Sequence, residues 1–123
     1  MLAAPWVGGE YDSNEVFAFG DQNRDLANVT VPVLCAYGSR DEVTLASYIL
    51  PAMKQLGGPT YVIELVDQPH VFEGGSWQDR DAWELLFFNA YLKGDRLALE
   101  TLKTARSMQG GNADIQLFDY QQR

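Results

Sequence analysis

Two short stretches of the chain hold residues that could do acid–base chemistry. The stretch "VPVLCAYGSRDEVT" contains Asp41, and "VIELVDQPHVFEGG" contains His70, the only histidine. A carboxylate that bonds one imidazole nitrogen fixes the tautomer of the ring and stabilises its protonated form, so such a pair can act as a general base. The alternative is structural: Asp41 would cap a helix or close a turn, and His70 would be a hydrogen-bonded loop residue.

A base of this kind needs a nucleophile, and the sequence offers poor candidates. Ser39 lies too near Asp41 to face a histidine across a site. Ser76, in "GGSW", is typical of a turn or a helix cap. Cys35 lies inside an apolar run, which favours a buried small hydrophobe over a reactive thiol. The chain also lacks a Gly-x-Ser-x-Gly elbow. The sequence therefore predicts an acid and a base without the group that they would activate.

Apolar runs and turn residues predict the elements that position the pair. Residues 29–37 and 60–67 read as strands buried on both faces, and the turn after each carries Asp41 or His70. Residues 43–56 read as a helix that Pro51 kinks or divides. Further helices are expected from a cap at Asp79 or Asp81 to Leu92, and over 95–108, with a loop-like tail. This order predicts an α/β fold, a short parallel sheet flanked by helices.

With these residues in view, the chain resembles the C-terminal half of an α/β-hydrolase, closest to the dienelactone hydrolase-like and related esterase members. The resemblance rests on Gly38 to Asp41, on His70 followed by Phe72 and Glu73, and on "LAAPWVGG" near the start. It implies that Asp41 is the acid and His70 the base of a catalytic triad. It covers residues 1–94. It also implies a nucleophile elbow and an oxyanion-hole loop upstream, which we expect to lie before Met1.

Composition excludes several classes of function. The net charge of −8 argues against nucleic acid and against an anionic membrane surface as partners. One cysteine and one histidine leave no intrachain disulfide and no standard zinc cluster, and nothing indicates a cofactor. No signal peptide or membrane span is evident, so a cytoplasmic location is expected. A group of acidic residues could bind a cation but is more typical of solvated loops (Glu42, Glu73, Asp79). A group of aromatic residues could line a pocket but is more typical of the core or its rim (Trp6, Trp77, Phe72, Tyr37).

The sequence is expected to form one domain over 1–123, with a hydrolase-like part (1–94) and a C-terminal helix and tail (95–123). A strand in "MLAAPWV" would then be an exposed sheet edge, which a second copy of the chain or a complementing N-terminal half could cover. The leading hypothesis is a partial hydrolase domain that is non-catalytic alone and forms a homodimer. The alternative is the C-terminal part of a carboxylic-ester hydrolase that is active only with its other half. A third is a self-contained small α/β fold.

Overall fold

The chain forms a four-stranded sheet with helices packed against it. The computed structural model describes residues 2–3, 21–105 and 115–121, with the surroundings of side chains for 24–105. The elements in chain order are a 3₁₀ helix and the strands and helices that we number here: β1 (Leu2–Ala3), the 3₁₀ helix (Asp21–Asn28), β2 (Val33–Gly38), α1 (Ala46–Gln55), β3 (Thr60–Leu65), α2 (Ser76–Leu92), α3 (Arg96–Thr104) and β4 (Ile115–Gln121). No helix among the described residues combines the length and the apolar character needed to cross a membrane.

The strands lie in the order β1-β2-β3-β4. β1 and β2 pair in parallel, as do β2 and β3, with Val33 opposite Thr60 and Gly38 opposite Leu65. β4 runs antiparallel to β3. The predicted α/β class and the parallel pairing are thus confirmed for the first three strands. The loop-like tail is a wrong prediction for residues 115–121, since they form a strand at the far edge.

Both faces of β2 and β3 are buried, as their continuous apolar runs predict. One cluster, on the side of α2 and α3, includes Leu34, Ile63 and Trp83, and the other, on the side of α1, includes Cys35 and Met53. Successive strand residues point to opposite faces, so neighbours along β2 enter different clusters. This double covering is the usual condition of parallel strands. It leaves the strand ends, rather than the faces, as the place where functional side chains can reach solvent.

Several boundaries differ from the sequence expectation for identifiable reasons. β2 begins at Val33 rather than at residue 29, directly after Pro32, which has no backbone N–H to donate. α1 begins at Ala46 and runs undivided through Pro51. α2 begins at Ser76, so neither Asp79 nor Asp81 caps it, and both lie inside the helix.

The C-terminal helix α3 covers 96–104 of the predicted 95–108. Asp95 is its N-cap, because its carboxylate accepts from the N–H groups of Leu97 and Ala98. Predictions were also made for residues 106–108 and for the part of "MLAAPWV" beyond β1, which includes Trp6, and these residues lie outside the described ones. The 3₁₀ helix Asp21–Asn28 lies before β2 in the chain.

Candidate active site

Asp41 and His70 meet at the carboxyl ends of β2 and β3. His70 Nδ1 lies 2.9 Å from Asp41 Oδ2. The side chain of Asp41 is fully buried, whereas 36% of the His70 side chain is exposed. No described residue bonds the second ring nitrogen, Nε2. The arrangement leaves His70 held on one side by a buried carboxylate and open to solvent or substrate on the other.

The Asp41 carboxylate accepts four hydrogen bonds. Oδ1 accepts from the backbone N–H groups of Val43 and Thr44, each at 2.8 Å. Oδ2 accepts from the Thr44 hydroxyl at 2.7 Å and faces His70 Nδ1. Burial would by itself raise the pKa of Asp41, but the bonds from Thr44, His70 and Val43 outweigh burial and hold this pKa below its ordinary value. Asp41 is therefore ionised at neutral pH and can stabilise a positive charge on His70.

Asp41 has the turn-closing role that was its structural alternative, and this role is compatible with a role as a triad acid. Its carboxylate closes the turn that precedes α1, because it takes the N–H groups of Val43 and Thr44. Those two residues were predicted to be helical. They lie outside α1 because the backbone of Leu45, directly before the helix, is extended, with a ψ of 137°, so the helix begins only at Ala46. The turn thereby fixes the rotamer of the same side chain that faces the histidine.

Gly38 lets the two site loops come together. A Cβ atom at this position would lie 2.7 Å from the Pro69 carbonyl oxygen and 2.8 Å from the Gln68 carbonyl carbon, and would contact the Gln68 oxygen even more closely. Only a residue without a side chain fits beneath the loop that carries His70. The spacing from Gly38 to Asp41 then has a local cause, since the N–H of Asp41 donates back to the Gly38 carbonyl at 3.1 Å and closes a tight turn.

The loop that carries His70 is tied to the loop that carries Asp41 through Ser39 and Arg40. The Ser39 hydroxyl accepts from the N–H of Asp67 at 2.8 Å, and the Arg40 guanidinium donates to the Asp67 carbonyl from Nε and Nη2, at 3.0 and 2.8 Å. The N–H of Arg40 also donates to the Gln68 carbonyl at 2.9 Å. Asp67 has a φ of +61°, a left-handed conformation that is uncommon for residues other than glycine. These contacts fix the turn at Asp67 and Gln68, and they therefore fix the position of His70 relative to Asp41.

Gln68 and Ser76 fix the far side of the histidine loop. Gln68 Oε1 accepts from the N–H of Glu73 at 2.9 Å, and the Ser76 hydroxyl lies 2.7 Å both from Gln68 Oε1 and from the Glu73 carbonyl. Ser76 is also the first residue of α2, so the helix and the loop share one anchor. His70 is therefore positioned from both ends of its loop.

The three candidate nucleophiles occupy unsuitable positions. Cys35 is fully buried in β2, and burial raises the pKa of its thiol to about 12, which leaves it protonated and unreactive. Ser76 is buried and its hydroxyl is bound to Gln68 and Glu73. Ser39 is exposed, but its hydroxyl accepts from the N–H of Asp67 and so links the Asp41 loop to the His70 loop. None of them bonds to His70.

An open depression of about 520 Å³ surrounds the exposed side of the histidine. Of the predicted acidic group, Glu42 lines it, whereas Asp79 is buried inside α2. Within the described residues, no group of three or more His, Cys, Asp and Glu side chains is placed to hold a metal ion. The depression is lined by polar loop residues together with Val43 and Pro69 (Ser39, Arg40, Asp41, Glu42, His70).

The aromatic candidates within the described residues, Tyr37, Phe72 and Trp77, do not line this depression. Tyr37 is fully buried, and its hydroxyl donates to the Glu64 carboxylate at 2.6 Å. Burial is the main cause that raises the pKa of Tyr37, and the Glu64 carboxylate raises it further. Phe72 packs against the core beside α2. Trp77 is half exposed and donates from Nε1 to the Gly74 carbonyl at 2.7 Å. A position in the core or at its rim therefore describes Tyr37, Phe72 and Trp77 better than a place in a pocket lining.

Sequence reasoning missed the residues that support the pair, above all Thr44 and Gln68. Thr44 follows Asp41 by three residues, a spacing at which a side-chain oxygen commonly accepts a backbone N–H, so the turn could have been found. The contact of the Thr44 hydroxyl with both members of the pair depends on how β2 and β3 align, and no local pattern reports it.

No family model matches the chain, and no curated protein matches it significantly. A buried, ionised carboxylate holds one nitrogen of an imidazole, and the other nitrogen faces an open depression. That arrangement can remove a proton from a nearby group and return it, which is the chemistry of a general base.

Proposed function

We propose that this chain is a partial α/β-hydrolase domain whose Asp41 and His70 are the acid and base of a catalytic triad, and that it is non-catalytic by itself. The observation that supports this most strongly is the 2.9 Å contact between His70 Nδ1 and the buried Asp41 carboxylate, with Nε2 unbonded among the described residues. A carboxylate placed only to close a turn would not need an imidazole on its remaining oxygen.

The reaction that fits the pair best is hydrolysis of a carboxylic ester. His70 Nε2 takes the proton of a serine or cysteine as this residue attacks the ester carbonyl, and Asp41 stabilises the imidazolium through Nδ1. The imidazolium then gives its proton to the departing alcohol. His70 next deprotonates the water that hydrolyses the acyl intermediate, and the proton returns to the nucleophile as the acid leaves. Asp41 stays ionised throughout.

The nucleophile in this proposal comes from outside the described residues, since Cys35 is buried and the hydroxyls of Ser39 and Ser76 bond to groups other than His70. A complementing segment with a strand, an elbow and a helix would lie beside β1, because β1 is the first strand in the sheet order and pairs on one side with β2. A second copy of the chain could use the same edge, which gives a homodimer. Light scattering of the purified chain over a range of concentrations distinguishes a dimer from a monomer.

The first test is hydrolysis of a short-chain p-nitrophenyl ester by the purified chain beside His70→Ala. We expect equal rates, no higher than that of free imidazole at the same concentration. Turnover that is lost in the variant would mean that the chain holds its own nucleophile, and would overturn the claim that it is silent alone. Ser39→Ala, Ser76→Ala and Cys35→Ala would then locate that nucleophile.

The second test supplies the missing part. A segment encoding a strand, a Gly-x-Ser-x-Gly elbow and a helix, taken from upstream of the chain's own coding sequence where one exists or from an α/β-hydrolase, is co-expressed with the chain. We expect ester hydrolysis that falls at least about 10³-fold in His70→Ala and Asp41→Asn. Ser47→Ala is the matched control and should keep the rate, because Ser47 is exposed in α1 and does not line the depression beside the pair. Activity that survives the loss of His70 would refute its role as the base.

A further inference from the structure

Thr44 contacts both members of the pair. Its hydroxyl oxygen lies 2.7 Å from Asp41 Oδ2 and 3.3 Å from His70 Nδ1. The residue is almost completely buried, with 1% of its surface exposed. Its backbone N–H donates separately to Asp41 Oδ1 at 2.8 Å. Thr44 is thus fixed by its main chain in a position where its hydroxyl can act on the acid and the base together.

The Thr44 hydroxyl and His70 share one carboxylate oxygen. Each oxygen of a carboxylate accepts about two hydrogen bonds, and those of Oδ1 come from the N–H groups of Val43 and Thr44. Oδ2 therefore divides its capacity between the hydroxyl and the imidazole. The contact of 2.7 Å between Oγ1 and Oδ2 has the length of a charge-assisted bond, so the hydroxyl proton points to Asp41 rather than to His70.

We propose that Thr44 is a positioning residue that orients the Asp41 carboxylate and limits how strongly it holds the Nδ1 proton of His70. A donor on Oδ2 withdraws charge that would otherwise stabilise the imidazolium. Without it, the carboxylate would bind the protonated ring more tightly and make His70 slower to release a proton. The inference rests on the pair used in the proposed function, but it concerns the proton affinity of His70, which is measurable without turnover.

Four other charged side chains lie in the two loops around His70 and also influence its proton affinity. The Asp41 loop contributes Arg40 and Glu42, which line the same depression. The His70 loop contributes Asp67, which pairs with Arg40 at 3.3 Å, and Glu73. All four side chains are retained in the variants that test the inference, so a change in the titration of His70 reports on the hydroxyl of residue 44.

The test compares Thr44→Val with Thr44→Ser in the full chain. Valine removes the hydroxyl and keeps the backbone donor to Oδ1, whereas serine keeps both. Because the chain has one histidine, its ring signals titrate without overlap in NMR spectra. A hydrogen bond to a charged group corresponds to about a tenfold change in an equilibrium constant, and we expect part of that effect to reach His70. The proton affinity of His70 should rise by about threefold or more in Thr44→Val and stay unchanged in Thr44→Ser.

An unchanged or lower proton affinity in Thr44→Val would overturn the inference, as would an equal rise in Thr44→Ser. Circular dichroism establishes that each variant folds, and Thr44→Ala replaces Thr44→Val if valine does not fold. The two proposals fail separately. A shifted titration with no hydrolysis in the complemented protein rejects the proposed function, whereas hydrolysis that needs His70 with an unshifted titration rejects the role of Thr44.

Discussion

Replacement of Gly38 by alanine should separate the two site loops. The new Cβ atom would lie 2.7 Å from the Pro69 oxygen and 2.8 Å from the Gln68 carbonyl carbon, both of them backbone atoms that cannot rotate away. Ordinary contacts to a Cβ atom exceed about 3.4 Å, so the loop must move by roughly 1 Å, and overpacking of this kind costs about 1–3 kcal/mol. His70 is next to Pro69 in the chain, so it moves with the displaced backbone.

A shift of that size would break the 2.9 Å contact between His70 and Asp41. The carboxylate favours the protonated imidazole, so its loss should lower the proton affinity of His70 by about tenfold. NMR titration of the single histidine measures this change. Urea denaturation followed by tryptophan fluorescence measures the accompanying loss of stability. In a complemented enzyme, a displacement of about 1 Å should lower the rate about 10²-fold.

Gly58→Ala is the matched control for this prediction. A Cβ atom at Gly58 would lie 2.6 Å from the Thr30 carbonyl carbon and 2.7 Å from the Val31 oxygen, again backbone atoms, but between α1 and β3 and not at the site. It should cost similar stability and leave the titration of His70 unchanged. An unaltered titration in Gly38→Ala, or the same change in both variants, would refute the argument that Gly38 sets the position of the histidine.

Two further predictions follow from burial and charge. Asp41 has a pKa below 3.8, its ordinary value, when the chain is folded. Its contribution to stability is therefore complete above about pH 4 and is lost as the pH falls through the lower folded-state value. The free energy of unfolding should lose this acid dependence in Asp41→Asn, measured by urea denaturation from pH 6 to pH 3, and an identical slope in the variant would contradict it. The Cys35 thiol, with a pKa of about 12, should not react with a disulfide reagent at pH 8 until the chain is unfolded in urea. Fast labelling of the folded chain would show that Cys35 is accessible.

Much of the framework could be predicted from the sequence because its signals are local. The apolar runs before Gly38 and Val66 are long enough to identify strands covered on both faces, and β2 and β3 occupy most of the predicted ranges. α2 and α3 follow from apolar residues at helical spacing. Asp41 and His70 could be singled out because each follows one of these strands, and parallel neighbours bring such turns to one edge.

Other features depended on contacts between distant parts of the chain. The tail was predicted to be a loop, yet "IQLFDYQ" forms β4 on the edge of β3. Its apolar and polar residues alternate except at Leu117 and Phe118, where the register of the pairing shifts. α2 begins at Ser76 because the Ser76 hydroxyl bonds to Gln68 and Glu73 in the preceding loop, a role that a search for acidic caps does not detect. Strand pairing and hydrogen bonds of this kind depend on the donors and acceptors of another strand or loop, which the local sequence does not show.

The sequence by itself therefore determined the α/β class, the two buried strands, and the identity of the acid and base candidates, because these depend on residue type and short-range periodicity. Only the tertiary structure decided that Asp41 and His70 touch, that Gly38 makes room for the approach, and that Thr44 shares the carboxylate with the histidine. These facts depend on contacts of 2.9 and 3.3 Å between residues 29 and 26 positions apart in the chain. Such distances follow from the register of β2 on β3 and the packing beneath it, which no single segment encodes.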